Sequence, residues 1–320
     1  MSRTAGPVVV ITGASSGIGR ETARLYAKKG ARLVLASRSE AALAAVAEEC
    51  RALGVDALVV PADVSHEGEV RALAAAAHNE YGRIDVWVGN AGVFAYGAFE
   101  RLPSKVFRQV VETNLMGQVH GARAVLPYFR RQGSGTLVMV GSLYSRVGSP
   151  AISPYVTSKW GLLGFAESLR QELRGTGIRV RVILPGTIDT PIDQHAANVT
   201  TRHVHPLPPA SSPRRVARAI VRAPHRRRHA AFVGRAQTLV LPVHRFAAPV
   251  YDGIAGLLMD SVELRGEGAD VTTGTVFDAP SSASPVTGGW RSRRIPLAIS
   301  AISAGLLTMA LARRRRPSAA

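Results

Sequence analysis

Tyr155 and Lys159 stand four residues apart, and Ser142 lies thirteen residues before the tyrosine. On a helix, positions i and i+4 share one face, so the lysine ammonium can sit beside the phenol. A cation there favours the phenolate and lowers the tyrosine from its ordinary pKa of about 10. A phenol tuned in this way becomes a proton donor or acceptor near neutral pH. A serine upstream can hydrogen-bond a substrate oxygen while the tyrosine exchanges its proton. These residue types fit interconversion of a carbonyl and an alcohol, provided that a hydride carrier binds beside them.

The N-terminus has the pattern that such a carrier needs. Val8, Val9, Val10 and Ile11 form an apolar run, read as a buried strand. It leads into Thr12-Gly13-Ala14-Ser15-Ser16-Gly17-Ile18-Gly19 and then a helical pattern from Arg20 to Lys29. Strand, glycine turn and helix together make a dinucleotide-binding crossover. The glycines permit a tight turn and close backbone approach, and the helix N-terminus faces the pyrophosphate. The spacing is G-x-x-x-G-x-G rather than G-x-G-x-x-G, so its position between a strand and a helix carries the assignment.

A second strand, Arg32 to Ser37, ends at Arg38. An acid at this place would bind the ribose 2′-hydroxyl of NAD. The strand ends without one, and Arg38 can pair with a 2′-phosphate instead. The reading favours NADP, with NAD left open. Asp63-Val64 follows a third apolar run, and Asn90-Ala91-Gly92 follows a fourth. Both fall at strand C-termini, where open α/β sheets bind ligands.

In this order the residues resemble the short-chain dehydrogenase/reductase family. The matches are T-G-x-x-x-G-I-G at Thr12–Gly19, Asp63, N-A-G at Asn90–Gly92, Asn114, Ser142, Y-x-x-x-K at Tyr155–Lys159, and P-G-x-I-x-T at Pro185–Thr190. They cover about the first 190 residues. Gly89 departs from the pattern, since many members carry a second asparagine there. The resemblance implies a role for each match. Tyr155 would be the general acid in reduction and the base in oxidation. Lys159 would depress its pKa and bind the nicotinamide ribose, and Ser142 would polarise the carbonyl. Asn114, in a long helix from about Pro103 to Arg131, would hold a water linking Lys159 to solvent. Gly13, Ser15, Ser16, Gly17, Ile18 and Gly19 would carry the pyrophosphate. Asp63 and the Val64 backbone would contact the adenine; Asn90, Ala91 and Gly92 would line the cofactor. Ile188 and Thr190 would hold the carboxamide, and Pro185 and Gly186 would also contact the cofactor. Dimers or tetramers are implied by the same resemblance.

Alternating strands and helices over residues 1–235 predict a Rossmann-type doubly wound parallel sheet with helices on both faces. Further elements are predicted at Thr136–Val140, Tyr155–Arg174, Arg179–Leu184, Pro213–Arg222 and Ala230–Val233. Residues 193–212 are rich in His, Pro and Thr and read as a lid over the substrate. Residues 236–264 form an apolar helical extension, and 265–290, rich in Gly, Ser, Thr and Pro, reads as a flexible linker. Residues 295–312 carry no charge and lie between arginine clusters. That segment is near the lower limit for spanning a bilayer, and attachment to an anionic membrane is expected from it.

The net charge is +18. Residues 191–320 hold 18 Lys+Arg against 7 Asp+Glu, whereas residues 1–190 hold 22 against 15, so the excess lies outside the motifs. No nucleic-acid-binding motif accompanies it. Cys50 is the sole cysteine, which rules out an intramolecular disulfide and fits a reducing compartment. His195, His203 and His205 lack the supporting ligands of a metal site, so no metal is expected. The first strand begins almost at once, and a cytoplasmic catalytic domain is expected. The resulting expectation is an NADP-dependent ketone or aldehyde reductase, with a lipophilic substrate if the membrane attachment holds. The alternatives are a non-catalytic NADP(H)-binding membrane scaffold, or an epimerase or dehydratase on the same fold.

Overall fold

A computed structural model describes residues 6–234, 237–280 and 284–291. Its centre is a sheet of seven strands: β1 (Val8–Thr12), β2 (Arg32–Ser37), β3 (Ala57–Pro61), β4 (Val86–Gly89), β5 (Gly135–Val140), β6 (Ile178–Pro185) and β7 (Ala230–Val233). Their order across the sheet is β7-β6-β5-β4-β1-β2-β3, and every pairing is parallel. Parallel strands joined by crossover helices are covered on both faces, which is why β1 reads as an unbroken apolar run. All five of its residues are buried.

The strand period of two divides that run between two cores. Val10 and Val34 point to one face, where they meet Leu73 and Ala77 of α3 (Glu67–Tyr81), Val125 and Phe129 of α5 (Gly117–Gln132), and Leu162 and Ala166 of α6 (Ser153–Glu172). Val9, Ile11, Leu33 and Leu35 point to the other face. There they meet Ala23 and Tyr26 of α1 (Gly17–Ala27), Leu43 and Val46 of α2 (Glu40–Arg51), and Val216 and Ile220 of α7 (Pro213–Arg222). Cys50, on α2, is fully buried in this second core.

The predicted helix from Pro103 to Arg131 forms with one irregularity. It runs as α4 (Ser104–Val111), a π-helical turn at Glu112–Met116, and α5. The widened turn falls on Asn114, and such turns often accompany functional sites.

The lid stretch is tied down at several points. Residues 197–198 pair with 95–96, residues 203–204 pair with 264–265, and Ile188 bridges Ser211. The apolar extension forms α8 (Val240–Phe246) and α9 (Ala248–Leu258).

The expected flexible linker is corrected by the structure. Val276 is fully buried among Val93, Leu102, Val106 and Ala197, and Thr272 bridges Asn198. One buried valine, with Phe277 beside it, anchors a sequence whose composition otherwise favours freedom. The segment therefore lies as a strap across the body.

Among the described residues, no helix is long and apolar enough to cross a membrane. The expected membrane segment, 291–320, lies outside the described residues apart from Arg291.

Candidate active site

The sheet order reverses between β1 and β4, and a crevice opens at their C-terminal ends, as the rule for open α/β sheets requires. The first βα turn shapes its floor. Gly13 and Gly17 hold φ of +63° and +51°, left-handed values that favour glycine. A Cβ at Gly13 would stand 2.8 Å from the Ala91 Cα, so the turn packs directly on the loop after β4. Asn90 binds that contact: its Nδ2 donates to the carbonyls of Thr12 and Gly13, both at 3.1 Å. Thr12 Oγ1 accepts from the backbone N–H of Asn90 and Ala91 at 3.0 and 3.2 Å. Gly89 is where a second asparagine was missed. A Cβ there would collide with the Gln118 amide, so the α5 side chain fills the space.

Asp63 combines the loop role and the crevice position. Its Oδ1 accepts from Ser65 N and Ser65 Oγ at 2.9 and 2.7 Å, which fixes the turn before α3. The crevice has a volume of about 660 Å³. Gly13, Ser15, Ser16, Gly17, Ile18, Arg38, Asp63, Val64, Asn90, Ala91 and Gly92 line one part of it. Ser142, Tyr155, Lys159, Pro185, Gly186, Ile188 and Thr190 line the rest. Gly19 and Asn114 stand behind the wall.

Asn114 is fully buried and clamps the loop after β4. Its Oδ1 accepts from Val93 N at 2.8 Å and its Nδ2 donates to Val93 O at 2.9 Å. The same Nδ2 reaches Ser158 Oγ at 3.2 Å, and Ser158 Oγ donates to Tyr155 O at 2.7 Å. Ser158, which the sequence reading passed over, thus links the clamp to the helix that carries the phenol. The Asn114 side-chain amide is committed to this clamp. Removing it would leave both polar groups of Val93 unpaired, at about 1–3 kcal/mol each.

The phenol, the serine and the amine meet on one wall. Ser142 opens a 3₁₀ turn at Leu143–Ser145, and its Oγ accepts from Tyr144 N at 3.2 Å. That contact leaves the hydroxyl proton for an oxygen in the crevice, and Ser142 also hydrogen-bonds the Tyr155 side chain. Lys159 is 4% exposed, and its Nζ donates to Val140 O at 2.9 Å. The ammonium lies 5.4 Å from the centre of the Tyr155 ring.

The electrostatics differ from the simple sequence expectation. Burial raises the Tyr155 phenol above the ordinary tyrosine range; the Ser142 hydrogen bond works the other way, and the Asp193 charge adds to the rise. Burial lowers Lys159 to about 8. Both groups are desolvated together, so the amine's attraction for the phenolate does not dominate as it would on an open helix face.

Spacing gave no sign of an acidic wall opposite. Asp193 and Glu263, 70 residues apart in sequence, both line the crevice; Glu263 is 5% exposed and Asp193 is partly buried. Tyr96 Oη donates to Asp193 Oδ1 at 2.9 Å, and Tyr144 hydrogen-bonds Glu263. Burial moves Asp193 up to about 6. Burial, with the Asp193 charge second, moves Glu263 from 4.5 to about 8. The folded protein therefore holds the Glu263 proton more tightly than the unfolded chain does. Its contribution to stability is complete below pH 4.5 and is lost as pH rises through 8. In Glu263→Gln the thermal midpoint should fall less than the parent's between about pH 5 and about pH 9, by about 3 °C. Equal falls in calorimetry would remove Glu263 as the source.

A sheet that reverses order beside a glycine turn, with a phenol, a serine and a buried lysine on the crevice wall, defines a dinucleotide-dependent oxidoreductase. Comparison with known proteins agrees. The family model described as short chain dehydrogenase matches residues 7–199. An uncharacterized oxidoreductase of Bacillus subtilis, YxnA, is 33% identical over 328 residues, covering 97% of this chain and 91% of that protein. A short chain dehydrogenase/reductase from Burkholderia phymatum, solved with NAD, superposes with a TM-score of 0.70 at 27% identity, covering 79% of this chain and 97% of its own. An actinorhodin polyketide ketoreductase variant, solved with NADPH, gives 0.66 at 32% identity, covering 73% and 97%. The chain belongs to the short-chain dehydrogenase/reductase family, whose members are oxidoreductases acting on CH–OH groups and their carbonyl counterparts.

Proposed function

We propose that the protein reduces a ketone or aldehyde with NADPH and runs the reverse oxidation with NADP. One observation carries the proposal: Ser142, Tyr155 and Lys159 share a single crevice with the glycine turn. The glycine turn bares its backbone at Gly13 and Gly17, and Ser15 and Ser16 line the crevice beside it, which fits a pyrophosphate. When bound, the nicotinamide supplies or accepts the hydride.

The residues supply the rest. Ser142 donates its hydroxyl proton in a hydrogen bond to the carbonyl oxygen and holds it beside Tyr155. Tyr155 passes its proton to that oxygen as negative charge develops, and takes it back in the oxidative direction. Lys159, with one N–H on Val140, offers its others to the nicotinamide ribose hydroxyls. Asp63 and Val64 would meet the adenine, Ile188 and Thr190 would hold the carboxamide, and Pro185 and Gly186 would contact the cofactor as well. Asn114 and Ser158 act as positioning residues. Beyond Tyr155 the wall is formed by Val147, Leu207, Leu239, Ile254 and Leu258, together with Tyr144 and Tyr251. Such a wall suits a lipophilic substrate.

The choice of NADP rests on Arg38 at the end of β2, where Ser37 and Ser39 also line the crevice and no acid stands to take a ribose 2′-hydroxyl. The test is absorbance of NADPH against a panel of lipophilic ketones and aldehydes, with NADP and alcohols in reverse. Absence of turnover with either dinucleotide across the panel would remove the proposal. Arg38→Asp should shift the kcat/KM ratio toward NADH by about tenfold or more, because an acid repels the 2′-phosphate and accepts from a 2′-hydroxyl. An unchanged ratio would count against Arg38.

A further inference from the structure

The strap, residues 272–280 and 284–290, is hydrogen-bonded to several segments that border the cofactor crevice. Thr272 and Thr275 donate their backbone N–H groups to Asn198 O and His195 O, at 3.0 and 2.8 Å. Pro285 O accepts from Gly17 N at 3.3 Å at the start of α1, and Ser284 O accepts from Arg20 at 2.8 Å. Trp290 donates its N–H to Asp189 Oδ1 at 2.8 Å and its indole N–H to Thr190 O at 3.1 Å.

The contact with Arg38 has a different chemical character. One terminal nitrogen of its guanidinium donates to Val276 O and Phe277 O at 3.4 and 2.9 Å. The other donates to Thr275 O and Asp278 O at 2.6 and 3.1 Å. All four terminal N–H bonds are thereby directed at strap carbonyls, leaving only Nε–H of the five donors. A phosphate takes the same planar fork, two N–H groups at a time. Strap and 2′-phosphate cannot both have it.

Building on the NADP reading, we propose that residues 275–278 are an internal competitor for the 2′-phosphate, and so a determinant of cofactor preference. NADP(H) must displace these carbonyls from Arg38 to seat its extra phosphate. NAD(H), with a hydroxyl at that position, leaves the carbonyls in place. The apparent affinity for NADP(H) is then reduced by the fraction of molecules whose strap is released, a reduction that NAD(H) escapes.

Gly274 gives a way to release the strap without substituting Arg38. Its φ is +51°, and a Cβ there would overlap the carbonyl oxygen of His195. Gly274→Ala in the full chain should therefore lift residues 274–278 off Arg38. A second variant, Val276→Ser, weakens the buried anchor by a separate route. Binding of NADP+ and NAD+ is measured by calorimetry, without turnover. Both variants should bind NADP+ about tenfold more tightly than the parent and NAD+ within about twofold of it. In the parent, hydrogen exchange at residues 272–276 should quicken on saturation with NADP+ and not with NAD+. Equal gains for the two dinucleotides, no gain for NADP+, or exchange changed alike by both would overturn the competition. If the parent bound neither dinucleotide, the cofactor reading itself would fall with it; tight binding of both with an unchanged ratio would remove the strap's role alone.

Discussion

Replacing Tyr155 by phenylalanine is expected to lower kcat by about 10²–10⁴, the range typical of a lost general acid. The dinucleotide dissociation constant should stay within about threefold of the parent's, because the ring and its packing survive. Phe94 lies 4.1 Å from the Tyr155 ring centre and Tyr144 lies 6.2 Å away edge-on, and neither contact uses the hydroxyl. The variant loses one oxygen from a crevice wall that also holds Ser142 Oγ. A hydride donor can still bind there, but the developing alkoxide has no proton to receive from this position. The two readouts separate the proton-donor role from a merely structural one. Steady-state kinetics and equilibrium binding on the same preparation would check both. Parent-level kcat would eliminate the phenol as the donor, and lost binding would recast it as a packing residue.

The chemistry of that wall was readable because it is short-range. Tyr155 and Lys159 share a helix turn, and Gly13, Gly17 and Gly19 span one turn and the start of α1, so sequence spacing nearly determines geometry. The doubly wound sheet was readable for a related reason: parallel strands covered on both faces must be apolar along their buried length, as Val8–Ile11 of β1, Leu33–Ala36 of β2 and Val86–Val88 of β4 are. The residues missed were those brought in by distant chain. Glu263 comes from beyond α9, and its carboxylate matters only because folding buries it near Asp193. Ser158 lay inside the recognised motif, at a position the motif leaves unspecified, and only its contact with Asn114 gives it meaning.

Two sequence expectations failed for physical reasons of the same kind. The amine was expected to dominate the phenol's pKa, yet burial of both groups outweighs their proximity. The 265–290 stretch was expected to be free, yet Val276 and the Arg38 fork hold it to the body. In each case a local rule was overridden by desolvation or by a single buried contact. Neither is visible in composition.

Gly19→Ala is expected to cripple the nucleotide site from behind its wall. Gly19 is buried in the first turn of α1 and does not line the crevice. A Cβ there would overlap the Gly13 carbonyl oxygen and approach Asn90 Nδ2 to 2.7 Å. Those two atoms are hydrogen-bonded to each other at 3.1 Å and fasten the glycine turn to the loop after β4. The added methyl must push them apart or push α1 away from the sheet. Overpacking of this kind costs about 1–3 kcal/mol. Part should appear as a thermal midpoint lower by about 3 °C, and the rest as NADP+ binding weaker by about tenfold, since 1.4 kcal/mol is about a factor of ten. Gly68→Ala is the matched control, because a Cβ at Gly68, in the first turn of α3, meets nothing within 4 Å. It should bind NADP+ as the parent does and melt no earlier. Equal behaviour of the two variants would mean that the turn tolerates displacement and that close helix–strand packing at Gly19 is not what shapes the pyrophosphate cradle.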